Sequence, residues 1–140
     1  MKKAVIITIL ILAIALGLFF YINNYSIKKI SSDSVGRVFS STTLAAGETF
    51  KIIYHVNLNS SQQFYLFEDA VPSGFEILDC EHDVNNKIKF IEIQNAESKI
   101  IECSIKASSQ TGRYTFKGEY ALENSGGTKK IRGESRVSVD

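Results

Sequence analysis

The segment Asp79-Cys80-Glu81-His82-Asp83 places three carboxylates next to a thiol and an imidazole. All of these groups bind metal ions in proteins. The spacing, however, matches no common site: an EF-hand loop starting here would need glycine at Val84 and glutamate at Phe90, and a zinc site would have to draw on two histidines and two cysteines in the whole chain. We therefore predict a solvated turn without metal or cofactor, the weak ligand candidates being Asp79, Glu81, His82 and Asp83.

Cys80 and Cys103 are the two cysteines of the chain. An even cysteine count in a small exported domain is typical of a disulfide. Cys103 alternates with Ile101 and Ile105 and so faces inward, while Cys80 ends another apolar segment. One disulfide and two buried free thiols are both compatible with this pattern.

Catalytic residues are not indicated by the sequence. An enzyme needs a nucleophile with a base, or paired carboxylates in a pocket. His55 falls in the middle of an alternating segment, on the face opposite Tyr54 and Val56, which is typical of a sheet-surface residue. No serine lies in a G-x-S-x-G elbow. We predict that the protein is not an enzyme.

The elements that position these residues are β-strands, because apolar residues recur with period two beyond residue 34 and never with a sustained period near 3.6. Turn residues divide this region into seven or eight short strands. The pattern predicts an all-β domain over residues 35–140, folded as a two-layer sandwich of the immunoglobulin-like kind, with a closed barrel as the alternative. The predicted strands are 35–40, 49–56, 63–69, 75–78, 87–93, 99–106, 113–122 and 129–139.

Glycine and tyrosine positions predict further local features. Gly118 and Gly133 interrupt alternating segments, as glycine does at a β-bulge or where another backbone approaches closely. Tyr114 follows Gly112 at the start of a predicted strand, which suggests a tyrosine corner, a phenol that bonds back to the preceding loop.

The chain is predicted to begin with a membrane segment. Residues 4–22 are an uncharged apolar run behind Lys2 and Lys3, long enough as a helix to cross the hydrocarbon layer of about 30 Å. We interpret residues 1–26 as an uncleaved signal-anchor, since the run exceeds a usual signal core and its one A-x-A element, Ala13-Ile14-Ala15, lies inside it. A cleaved signal peptide is the alternative. Residues 27–34 read as a polar stalk.

An extracytoplasmic position for the domain is predicted from its content. The flanking lysines favour a cytoplasmic amino terminus only slightly. A β-rich domain with two cysteines and two N-x-S sequons, which make Asn24 and Asn59 glycosylation candidates, suits an exported setting. Outside the first three residues the chain has 14 basic and 15 acidic side chains, so no charge excess points to nucleic acid.

The order of several motifs resembles the immunoglobulin-like repeat domains of bacterial and archaeal cell-surface proteins. The resemblance spans nearly all of the region after the stalk and implies a fold and an extracellular setting, but no catalytic or binding residue. The motifs are Arg37-x-Phe39, Ala46-Gly47-Glu48-Thr49-Phe50, Val71-Pro72-x-Gly74-Phe75, Gly112-x-Tyr114-x-Phe116-x-Gly118-x-Tyr120 and Gly133-x-Ser135-x-Val137-x-Val139.

Two functions follow as hypotheses. The first is a single-pass, membrane-anchored module of the cell envelope that binds or assembles with protein or glycan partners. The second is a subunit of an archaeal pilin-like filament, since a short basic leader, an apolar helix and a β-sandwich are also the plan of those proteins. The mature amino terminus separates them: Met1 or Lys2 indicates an anchor, whereas Ala4 or Val5 indicates processing for assembly.

Overall fold

The computed structural model describes residues 33–60, 62–80, 85–123 and 126–140. The predicted anchor at 1–26, most of the stalk and Asn24 lie outside these residues. Within the described part of the chain, no helix has the length and apolar character needed to cross a bilayer. The regular structure described is entirely β, so the prediction of an all-β domain is confirmed.

In the described residues, twelve β-segments make up three sheets. A five-stranded sheet has the order β11-β1-β3-β7-β5, a four-stranded sheet has the order β10-β9-β4-β6, and a three-stranded sheet has the order β2-β12-β8. The segments are β1 (Ser34–Phe39), β2 (Thr43–Leu44), β3 (Thr49–Asn57), β4 (Gln62–Ala70), β5 (Glu76–Asp79), β6 (Lys87–Ala96), β7 (Lys99–Lys106), β8 (Gly112–Thr115), β9 (Lys117–Leu122), β10 (Lys129–Lys130), β11 (Arg132–Gly133) and β12 (Arg136–Val139).

The five- and four-stranded sheets pack face to face around one core. Alternate residues of β3 are buried, and the same alternation holds in β1, β9 and β12. The ring of Tyr54 on β3 lies 4.8 Å from the ring of Phe67 on β4, measured between centroids. Burial of this alternating apolar face is what drives the two sheets together.

The number of segments differs from the predicted seven or eight, because two predicted strands are divided and because the short β2 lies in a region predicted as a connection. The first, 113–122, is broken at Phe116, whose ring is buried at 5.0 Å from the ring of Phe39. The N–H of Phe116 donates to the carbonyl of Ser135 at 2.8 Å. The chain therefore leaves β12, the partner of β8, and joins β4, the partner of β9.

The second divided strand is 129–139. Ile131 is buried between β10 and β11, and its N–H donates to the carbonyl of Gly118 at 2.9 Å. Gly133 then takes a φ of 90°, a left-handed conformation that favours glycine. A Cβ at Gly133 would lie 2.3 Å from the carbonyl oxygen of Arg37, so the close backbone approach predicted there is confirmed.

Candidate binding surface

The solvent-facing side of the four-stranded sheet is the candidate site, and we call it the outer face. Its side chains alternate along β4, β6 and β9 with those that enter the core. The pairing register sets them in rows across the sheet. The residues of the outer face are Phe64, Leu66, Glu68, Ala70, Lys87, Lys89, Ile91, Ile93, Lys117, Glu119, Ala121 and Lys130.

One half of the outer face is charged. Glu68 lies opposite Glu119 on one side and Lys89 on the other, and Glu119 lies opposite Lys130. The ammonium of Lys87 contacts a carboxylate oxygen of Glu68 at 2.6 Å, and that of Lys89 contacts the other at 3.9 Å. The hydrogen bond from Lys87 lowers the pKa of Glu68, so this carboxylate is ionised at neutral pH. The row that runs from Lys89 through Glu68 and Glu119 to Lys130 is therefore positive at both ends and negative in the middle.

The other half of the outer face is apolar. Phe64 pairs with Ile93, and Leu66 pairs with Ile91 on one side and Ala121 on the other. Three of these side chains are markedly exposed: Phe64 by 39%, Ile91 by 50% and Ile93 by 70%. Adjacent exposed apolar side chains, next to charged rows, are typical of an interaction surface rather than of a solvated sheet.

A cleft of about 690 Å³ opens along the charged half, between β9 and the β10–β11 segment. Leu66 lines it too, so the cleft and the apolar half are continuous. The absence of a side chain at Gly118 lets Ile131 and Asp69 pack against β9. A Cβ at this position would lie 2.5 Å from Cδ1 of Ile131 and 2.8 Å from Oδ1 of Asp69. The crowding at Gly118 comes from side chains, whereas the sequence predicted a bulge or the approach of another backbone there.

A buried ion pair joins the two sheets beneath the cleft. The guanidinium of Arg37, on β1, donates to Oδ2 of Asp69, on β4, and the two side chains are 1% and 0% exposed. The phenol of Tyr54 donates to the same oxygen at 2.7 Å. The Arg37 guanidinium also donates to the carbonyls of Glu134, at 2.6 Å, and Phe116, at 3.3 Å. The two charges thus compensate each other, while Oδ1 of Asp69 is buried without a hydrogen-bond partner among the described residues.

The surroundings change the pKa of two buried tyrosines. Burial, followed by the negative charge of Asp69, raises the pKa of Tyr54 well above its usual value near 10. Burial and a 2.7 Å hydrogen bond to Glu92 raise the pKa of Tyr65. Both phenols therefore stay neutral and serve as hydrogen-bond donors within the core at ordinary pH.

The metal-ligand candidates are not gathered into a site in the described residues. Asp79 is exposed at the end of β5, while Glu81, His82 and Asp83 lie outside the description. Among the described side chains, no group of three histidine, cysteine, aspartate or glutamate residues is arranged to hold a metal ion. The absence of a metal stays a prediction.

The two cysteines are joined in the structure. Cys80 and Cys103 form a disulfide with a Cα–Cα distance of 4.5 Å, which links β5 to the neighbouring strand β7.

Asn59 is exposed in the loop after β3, as glycosylation would need, and its modification stays a prediction. His55 is half-buried on β3. The phenol of Tyr114 donates to the carbonyl of Gln110 at 2.9 Å, so the predicted tyrosine corner is confirmed.

Two features of the site were not predicted from the sequence: the buried pair of Arg37 and Asp69, and the exposure of the isoleucines on β6. Each nevertheless has a signal in the sequence. Arg37 falls at an inward position between Val35 and Phe39, and Asp69 falls at an inward position after Phe67. A charged side chain on an inward face requires a buried partner of opposite charge. Ile91 and Ile93 of β6 alternate with Phe90 and so share the opposite face, but alternation alone does not say which of the two faces is covered.

Comparisons with known proteins give structural likeness only. No family model matches the chain, and no curated protein matches it. The human F-spondin reeler domain is 11% identical over 72% of this chain and 93% of that one, with a TM-score of 0.39. A cohesin–dockerin complex structure from Clostridium thermocellum is 9% identical over 77% of this chain and 99% of that one, with a TM-score of 0.43. A Nocardia farcinica protein described as having an immunoglobulin-like fold is 8% identical over 77% and 99%, with a TM-score of 0.40. Likeness at this level establishes no shared family and no shared function.

Proposed function

We propose that this chain is a non-enzymatic binding or assembly module of the cell envelope. Residues 1–26 hold it in the membrane as a single-pass anchor, and an immunoglobulin-like domain of the kind found in cell-surface repeat proteins projects on the extracytoplasmic side. The uncharged run at 4–22 and the exported character of the domain support this arrangement.

The proposal rests on the exposed apolar side chains of the outer face. Phe64, Ile91 and Ile93 expose apolar surface side by side on a regular sheet, which costs free energy as long as water covers it. A protein partner recovers that free energy by covering the strip, and the neighbouring charged rows set its orientation. A glycan would gain less from aliphatic side chains, so a protein partner is favoured over a glycan.

Binding through the outer face can be tested with a matched pair of substitutions. Ile93→Glu changes the apolar half, whereas Ile100→Glu changes an isoleucine 66% exposed on the five-stranded sheet. Full-length chains in nanodiscs are titrated against solubilised envelope proteins and, separately, against cell-wall glycan from the source cells. We expect saturable binding to the protein fraction that Ile93→Glu abolishes and Ile100→Glu preserves. Equal binding by the two variants, or saturation by glycan alone, would contradict the proposed face.

The mature amino terminus tests the anchor and separates the filament hypothesis. Mass spectrometry of the protein purified from membranes should find Met1 or Lys2 at the amino terminus. A start at Ala4 or Val5, together with the protein in sheared filaments, would replace the anchored module by a pilin-like subunit.

A further inference from the structure

We infer that the Cys80–Cys103 disulfide is a redox-sensitive latch that holds β5 onto the edge of the five-stranded sheet. This inference concerns the sheet opposite the outer face and is independent of the proposed function. It rests on how little else attaches β5.

The strand itself contributes little to the core. None of the four side chains of β5 is buried, and Ile77 alone is half-buried against the core cluster. Leu78 is 49% exposed. Apolar burial, the main source of attachment for a strand, is therefore small along β5.

The ladder between β5 and β7 is short and irregular. Its paired positions are Glu76 with Lys106, Ile77 with Ile105 and Asp79 with Ser104, and the register shifts between Ile77 and Asp79. The charge contact between Glu76 and Lys106 is 3.7 Å long with both side chains at least half exposed, so water screens it. By contrast, β3 pairs with the opposite edge of β7 over eight consecutive positions.

The two ends of β5 are held differently. Before the strand, Phe75 is buried, with its ring 4.8 Å from that of Tyr114 and 6.2 Å from that of Phe50. After the strand, the disulfide to Cys103 is the covalent attachment to the sheet. Loss of the bond therefore frees β5 at its carboxyl end while Phe75 stays in the core, so the expected motion is local.

Opening the latch takes a dithiol reductant. Cys80 is half-buried and Cys103 is 1% exposed, so Cys80 is the cysteine of the pair that the reductant's thiolate attacks. The S–S bond breaks as the new S–S bond to Cys80 forms, and the Cys103 sulfur leaves with the electron pair and takes a proton. The second thiolate of the reductant resolves the mixed disulfide, which yields two cysteine thiols and one oxidised reductant. Release of β5 then uncovers the backbone donors and acceptors along the edge of β7.

Hydrogen exchange with mass spectrometry tests the latch on the full chain in detergent, with and without dithiothreitol. Alkylation before reduction should find no free thiol. In the oxidised protein, peptides covering β5 should be protected; after reduction their protection should be lost, while β3 and β4 keep most of theirs. The double variant Cys80→Ser with Cys103→Ser should behave as the reduced protein does. Glu76→Ala, which keeps the disulfide, should leave β5 protected.

Three results would overturn the inference. The first is protection of β5 that survives reduction, which would mean that backbone pairing alone holds the strand. The second is loss of protection throughout β3, β4 and β5 together, which would make the bond a brace for the whole fold. The third is a pair of free thiols in the protein as purified.

Discussion

The buried ion pair beneath the cleft gives the sharpest stability prediction. Arg37 and Asp69 are 1% and 0% exposed, and Tyr54 donates a 2.7 Å hydrogen bond to the carboxylate. Asp69→Asn removes the negative charge, retains the shape of the side chain and leaves the guanidinium buried without a counter-charge. We therefore expect the variant to lose much of its free energy of unfolding.

The size of the loss follows from the geometry. Two unit charges about 4 Å apart attract by about 4 kcal/mol at an effective dielectric constant of about 20. Removing one partner of a buried pair costs about 3–5 kcal/mol in proteins, because the remaining charge stays desolvated. Since a whole domain is stable by about 5–15 kcal/mol, Asp69→Asn should leave the domain near the limit of stability.

Urea unfolding of the full chain in mild detergent, followed by far-UV circular dichroism, measures the loss. The control is Glu102→Gln in the Lys51–Glu102 pair, whose side chains are 55% and 49% exposed; it should cost less than about 1 kcal/mol. A double variant, Arg37→Met with Asp69→Leu, should recover most of the stability, since apolar replacement of a buried pair is often neutral or stabilising by about 1–4 kcal/mol. Equal midpoints for Asp69→Asn and Glu102→Gln would refute the reasoning.

Three further predictions concern pH, backbone geometry and the anchor. The raised pKa values of Tyr54 and Tyr65 favour the neutral phenols in the folded state. The stability that each neutral phenol contributes to the fold is complete below the pKa of tyrosine in the unfolded chain, about 10. As the pH rises from there toward the higher pKa of the folded state, this contribution is lost by up to about 1.4 kcal/mol per pH unit for each tyrosine. Urea midpoints between about pH 9 and 11 should fall less steeply in Tyr54→Phe, and parallel curves would contradict this. Gly133→Ala should cost at least about 2 kcal/mol more than Gly47→Ala in urea unfolding, because both glycines have positive φ but only the former meets backbone within 4 Å; equal costs would count against the close approach. Leu12→Arg should weaken membrane insertion by about 2.5–3.5 kcal/mol, and release of the unaltered full-length protein by alkaline carbonate would exclude the anchor.

The alternation of apolar residues determined much of the domain from sequence alone. It determined which residues share a face: Phe116, Tyr120 and Leu122 alternate with Lys117 and Glu119, and the first set is buried while the second is exposed. Local turn chemistry likewise predicted the tyrosine corner of Tyr114. These features depend on residues near one another in the chain, so a pattern of period two is sufficient to predict them.

Which strands become neighbours was decided only by the tertiary structure. Alternation assigns a residue to a face but does not name the strand opposite it, because pairing register depends on contacts between distant segments. For this reason the sequence did not predict that β1 and β4 bring Arg37 onto Asp69, or that the chain changes sheets at Phe116. The exposure of Ile91 and Ile93 has the same origin, since β6 packs one face on the core and leaves the other to solvent. Both the candidate surface and the latch on β5 are consequences of strand order.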